Sequence, residues 1–401
     1  MARGGRARRA QPAQELILKD SVRLPQELID AIIDEFDVSL TDINNISIFP
    51  DQNALRSCAL VSRAFVRPSQ KKLFSIVSTQ SGWKESPDER LRLFSKLLAS
   101  RPHIAQYVRT LNLGYRCVRS KSLDHILLSL PNLNTVNLYP WEDFRNRNWE
   151  PNQEFPKHHR DSFVFVFSLS SLRSLSLQDH RFSNADALLS MLSNSAGLEE
   201  LVLRNIDFVD LQVADRPKNR PDTPRLVLRS LKLIAMSTTN VDALLNASIA
   251  VDISRLHSLY CDRYHASLLQ AIPKVRDLTL FKYSSDTYPD EINVLSNALQ
   301  NLSLNIDGLL SPSSFIRRVG NFSTAITLKR ISITIRSNFG GALWQGIDSL
   351  LSATPAAEEI SFNLGKGFGP RDSDAIRVHL PLIDAKGILK ITLLDRDLSA
   401  Q

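Results

Sequence analysis

The sequence predicts an α/β chain: a short N-terminal helical unit, then a solenoid in which helices alternate with parallel strands. Three observations carry that expectation. The run L-x-x-L-x-L recurs along most of the chain, leucines at helical spacing precede several of these runs, and a separate helical stretch lies ahead of the first.

The strict runs are Leu172-x-x-Leu175-x-Leu177, Leu198-x-x-Leu201-x-Leu203, Leu228-x-x-Leu231-x-Leu233 and Leu299-x-x-Leu302-x-Leu304. Leucine supplies 60 of the 401 residues. At that frequency about one such run arises by chance, so four mark a repeat. Looser apolar versions fall at Val108–Leu113, Leu133–Leu138, Leu256–Cys261, Val275–Leu280, Leu328–Ile333, Ala357–Phe362 and Ile388–Leu393. Successive runs start 25, 39, 26, 30, 28, 19, 24, 29, 29 and 31 residues apart, mostly near the ~20–29 residues of leucine-rich repeats. The helical stretches are marked by Ile126, Leu127 and Leu130; Leu188, Leu189 and Leu192; Leu268, Leu269 and Ile272; and Ile347, Leu350 and Leu351.

One helix–strand unit cannot bury both of its faces, whereas stacked units share a core. Each run then buries three apolar side chains worth ~1.5–3 kcal/mol apiece before entropy is charged. Residues between the leucines, Ser176, Val202, Lys232, Tyr260, Thr279 and Ser303, are expected on the opposite, open face of the strands.

The helical unit opens at Leu24-Pro25, with Leu28, Ile32 and Phe36 at i, i+4, i+8 as one apolar stripe. A polar stretch, Asp37 to Asp51, interrupts it. Leu55, Cys58, Val61, Ser62 and Phe65 then share a face, and Pro68 is read as the start of another short helix carrying Leu73 and Phe74. The expected organisation is a basic, disordered tail over 1–20, the helical unit over 21–80 and the solenoid over 81–401, with irregular insertions at about 139–162 and 205–225.

Composition excludes several classes. Apolar residues at 43% and charged residues at 23% are ordinary for globular proteins. The formal charge is +7, but Arg3, Arg6, Arg8 and Arg9 in the tail supply four charges and leave the body about +3, weak support for nucleic acid as a partner. Three cysteines without a CxxC pair argue against a disulfide framework and a structural zinc, and fit the cytoplasm or nucleus. No run approaches the ~20 apolar residues that span a bilayer, so no membrane partner is expected. His158-His159 with Asp161 lacks a further ligand at suitable spacing, so no metal is expected. Gly365-Lys-Gly-Phe-Gly369 lacks the endings of nucleotide-binding loops and reads as a turn. No cofactor and no catalytic residues are expected.

The helical unit resembles the F-box, in the style of the large fungal families. The residues that carry the resemblance are Leu24-Pro25-Gln26-Glu27-Leu28-Ile29-Asp30-Ala31-Ile32-Ile33, Leu55-Arg-Ser-Cys58-Ala-Leu-Val61-Ser62-Arg63-Ala-Phe65 and Pro68-Ser-Gln-Lys-Lys-Leu73-Phe74. Phe65 stands where the family usually has Trp, and the Asp37–Asp51 stretch is longer than the usual link. The resemblance implies a non-catalytic subunit that binds the Skp-type adaptor of an SCF (cullin–RING) ubiquitin ligase. Carried over by position, the adaptor contacts are Leu24, Pro25, Leu28, Ile32, Leu55, Cys58, Val61 and Phe65.

The C-terminal array resembles the leucine-rich repeats that accompany many F-boxes, although Arg116, His180, Ile206 and Asp307 stand where those repeats place Asn. A target protein is expected on the open strand face and on the first insertion, where Trp141, Arg147 and Trp149 are residue types enriched at binding hot spots. The alternatives are an F-box scaffold acting outside ubiquitination and a nucleic-acid-binding solenoid, the latter prompted by the basic isoelectric point.

Overall fold

The structure, a computed structural model, describes residues 24–36, 51–79, 87–114, 120, 122–139, 160–211, 226–247, 251–262, 265, 268, 275–280, 298–306, 327–336, 341–365 and 367–394. The chain divides into two compact units, one helical and ending at Leu73, the other beginning at Phe74.

The helical unit contains α1 (Gln26–Asp34), α2 (Gln52–Val61) and α3 (Arg63–Leu73). Pro25 sits just ahead of α1 in extended conformation, where its missing N–H costs nothing. The Asp51 carboxylate caps α2 by accepting from the backbone N–H of Asn53 and Ala54, both at 3.0 Å. Ile29, Ile33, Leu55 and Phe65 form the core, with Phe36, Cys58 and Leu73 partly buried against it.

Three local expectations change here. The packed stripe of α1 is Ile29 and Ile33, so Leu28 and Ile32 flank it and stay exposed, while Phe36 of the predicted stripe packs against the core. Ser62 is extended and separates α2 from α3, so Val61 and Phe65 do not share one helical face. Pro68 lies inside α3 and does not start it. The helix therefore forgoes the bond its N–H would have made to the carbonyl four residues earlier.

The second unit is built on a parallel sheet of twelve strands. They are β1 (Ile76–Ser78), β2 (Thr110–Gly114), β3 (Thr135–Tyr139), β4 (Ser174–Gln178), β6 (Glu200–Arg204), β9 (Ser230–Ile234), β11 (Ser258–Cys261), β12 (Asp277–Leu280), β13 (Asn301–Ile306), β14 (Arg330–Ile335), β15 (Glu359–Leu364) and β16 (Leu389–Leu393), in that spatial order. Short strands β5 (Arg181–Phe182) and β7 (Asp207–Phe208) pair with each other, as do β8 (Leu226–Val227) and β10 (Val251–Asp252). Strand order follows chain order, and the described helices include Pro87–Ser100, Ser122–Ser129, Arg160–Phe167, Ala185–Leu192, Thr238–Leu245, Gly341–Ser352, Pro370–Val378 and Pro381–Ala385. This is an α/β arrangement of alternating helices and strands.

Every run read as a rung from the sequence becomes a strand of this sheet. Of the twelve, only β1 was not anticipated; it lies inside the 21–80 segment assigned to the helical unit, so that boundary moves back to Leu73. The short pairs β5–β7 and β8–β10 were not anticipated either. The leucines of the runs stack in register: Leu111, Val136, Leu175, Leu201, Leu231, Leu259, Leu278, Leu302, Ile331 and Ile360 form one continuous buried row. The predicted helical leucines close the core from the other side. Ile126, Leu127, Leu130, Leu188, Leu189, Leu192, Leu268, Ile347 and Leu351 are buried and Leu350 is half-buried, whereas Leu269 and Ile272 lie outside the described residues. Gly369 of the predicted turn immediately precedes the helix Pro370–Val378, and its N–H donates to the Asp372 carboxylate at 2.7 Å.

The chain turns at equivalent places after three successive strands. Asp179, Asn205 and Ala235 each have φ near +50°, at 55°, 49° and 54°. Asp and Asn tolerate this region, but an alanine there is strained by ~1–2 kcal/mol. A side-chain acceptor holds it: the Ala235 N–H donates to the Asp262 carboxylate at 2.5 Å.

Candidate functional site

The helical unit exposes large apolar side chains beside its small core. Leu24, Leu28 and Ile32 are 47%, 51% and 40% exposed, and Val61 is 72% exposed. With Pro25, also exposed, these residues offer a surface to a partner. Leu55 and Phe65 do not: both are buried in the unit's own core, and Cys58 is half-buried against it. An apolar side chain serves either its own core or a partner, and the sequence pattern does not distinguish the two for residues spaced three or four apart. Leu60, not singled out from the sequence, is the most exposed of the group at 87%. Its position beside Val61 at the end of an apolar helix was the available signal.

On the strand face of the second unit, the residues between the leucines fall into one register row. Ser78, Asn112, Asn137, Ser176, Val202, Lys232, Tyr260, Thr279, Ser303, Ser332, Ser361 and Lys390 are successive partners across the sheet. The row therefore contains all six of the candidates read from the sequence. It is not uniformly open. Asn112, Asn137, Ser176 and Val202 are buried, the last two at 7% and 4%, whereas Lys232, Tyr260, Thr279 and Ser303 keep partial exposure.

The buried end satisfies its own polar groups. The Asn137 amide donates to Asn112 Oδ1 at 2.8 Å, and Thr79 Oγ1 donates to the Asn112 carbonyl at 3.1 Å. Val202 lies between Ser176 and Lys232 in the row, and the Lys232 ammonium forms an ion pair with Glu200 at 2.7 Å. Ser176 and Val202 are thus corrected from surface contacts to packed residues.

In the accessible part, burial pushes the Tyr260 phenol up to about 12, with Asp262 adding to the shift and Arg204 opposing it. At neutral pH it is a protonated hydrogen-bonding tip on an apolar ring. Beside it Cys261 faces the core, and burial raises its thiol well above the ordinary value, so it is an inert packing residue. Trp141, Arg147 and Trp149 of the first insertion lie outside the described residues, as do His158 and His159.

Among the described residues no helix is long and apolar enough to cross a membrane. Compared with known proteins, no family model matches the chain and no characterised protein matches it in sequence.

Proposed function

We propose that this chain is the substrate-receptor subunit of an SCF-type ubiquitin ligase, its helical unit an F-box that docks on a Skp-type adaptor and its sheet unit a leucine-rich-repeat array that holds a target protein. The observation that carries this reading is the exposed apolar set Leu24, Leu28, Ile32 and Val61 beside a separate core of Ile29, Ile33, Leu55 and Phe65, on the residues that resemble the F-box. A unit that leaves such side chains in water gains by covering them, and a well-packed apolar contact there is worth ~2 kcal/mol or more.

The chain contributes proximity, not bond chemistry. Holding a target near a charged ubiquitin-conjugating enzyme raises the effective concentration of target lysines. The accessible part of the strand-face row, Lys232, Tyr260, Thr279 and Ser303, is the surface assigned to the target, with Trp141, Arg147 and Trp149 as further contacts.

The test pairs two substitutions. Leu28→Asp with Val61→Asp adds charge to exposed positions, so stability changes by no more than about 0.5 kcal/mol, while co-purification of the Skp-type adaptor is lost. Undiminished adaptor recovery by this double variant at wild-type stability rejects the docking assignment.

A further inference from the structure

A cleft of about 710 Å³ opens in the second unit at the ends where strands β4 to β13 begin. Its polar lining is Arg173, Glu199, Arg229, Arg255, His257 and Arg276. The register explains why these residues meet. Ser174, Glu200, Ser230, Ser258 and Asp277 are successive partners across the sheet, so the residues just before them stack in the same order. Their backbones are laddered as well: Glu199 N–H donates to the Arg173 carbonyl at 2.8 Å, Arg229 to Glu199 at 2.8 Å, His257 to Arg229 at 2.9 Å and Arg276 to His257 at 3.0 Å. Neighbouring rungs lie about 4.8 Å apart, so like charges on them repel.

Only the first part of this column is compensated. Glu199 pairs with Arg173 at 3.8 Å and with Arg229 at 3.3 Å, and Arg173 also donates to the Gly197 carbonyl at 2.8 Å. Arg255 and Arg276 have no acidic partner among the described residues. Four arginines against one glutamate leave these side chains at a formal +3. Arg255 joins the column from the turn Ile253–Arg255 that follows β10, and Val227 of β8 lines another part of the cleft. Val227 of β8 and Arg255, which follows β10 in the chain, thus bring the β8–β10 region to the cleft.

We infer that this cleft binds a small polyanion carrying two or more linked phosphate groups. The volume falls within the ~300–1,000 Å³ of small-ligand sites. Guanidinium forks match phosphate oxygens in pairs, and a phosphate chain presents oxygens to several rungs at once. A monoanion engages one fork and leaves the rest of the charge unbalanced. This inference is independent of the proposed ligase role, since it concerns the second unit alone.

The experiment is calorimetric titration of the purified full chain with inorganic tripolyphosphate and with acetate, at an ionic strength of about 0.15 M. Saturable binding of tripolyphosphate and none of acetate is expected. Arg255→Gln with Arg276→Gln weakens binding at least tenfold at an unchanged melting temperature. Glu199→Gln, which releases Arg173 and Arg229 from their acid, tightens it severalfold. No saturable binding by the wild-type chain, equal affinity in the arginine double variant, weaker binding in Glu199→Gln, or a preference for single-stranded RNA or polyglutamate over tripolyphosphate would each overturn the site. Adaptor co-purification is unaffected by all three substitutions, so failure here is separable from failure of the ligase reading.

Discussion

The two units solve the burial problem differently. Among the described residues, the helical unit has four fully packed apolar side chains and leaves Leu24, Leu28, Ile32, Leu60 and Val61 exposed. The described residues of the sheet unit pack sixty-one buried apolar side chains into one continuous core. A three-helix unit has a high ratio of surface to volume and cannot hide every apolar residue it carries. A repeat array adds one rung of core per unit, and every rung except the terminal ones is covered on both sides. The contrast separates residues kept for folding from residues available to a partner, and it makes the small unit the more fragile one.

The largest effect that tests this contrast lies in the sheet unit. Trp344, 2% exposed, meets Phe362 edge-to-face at 5.3 Å. Trp344→Ala is expected to cost about 3–5 kcal/mol, measured by denaturant titration, with adaptor binding retained by the helical unit. A loss below about 1 kcal/mol would show that the core relaxes around the gap.

Next comes Leu55→Ala in the helical unit, costing about 2–5 kcal/mol. Out of a core of four, that loss is expected to melt residues 24–73 separately and early, with hydrogen exchange of the strands unchanged. A single transition displaced as a whole would break the comparison, because the units would then be one cooperative structure.

The smallest effect is a pH dependence confined to the sheet unit. Burial lowers the His180 pKa from 6.5 to about 4. The folded chain therefore keeps this imidazole neutral in a range where the unfolded chain protonates it. Stability from this group is complete above pH 6.5 and is lost as the pH falls toward 4, by up to ~3 kcal/mol. His180→Gln should flatten the wild-type slope of unfolding free energy over that window. An unchanged slope would mean that His180 is protonated in the folded chain as readily as in the unfolded one.

Much of the fold was legible because its signals are local. The apolar periods mark the strand runs and the helices, even where the repeat is degenerate, as at Ala357–Phe362. Strand β1 is not legible in the sequence because three residues, Ile76–Ser78, carry too little pattern to stand apart from the preceding helix. The site was less legible. Leu28 and Leu55 look alike in the sequence, yet one is half exposed and the other buried. The basic column was visible in principle, since Arg173, Glu199, Arg229, His257 and Arg276 all occupy the second position of a run, but that position has no fixed meaning until the rungs are stacked.

What the sequence by itself determined is therefore the alternation: where the chain is helical, where it is extended, and which side of each strand is apolar. These follow from periods of 3.6 and 2 within a few residues. Tertiary structure alone decided which face of α1 packs inward, that Ser176 and Val202 are covered while Lys232 and Tyr260 stay accessible, and that charges far apart in sequence become neighbours. The physical reason is register. Residues 19 to 30 positions apart, such as Arg229, His257 and Arg276, come to lie on adjacent strands about 4.8 Å apart only when the leucines beneath them align.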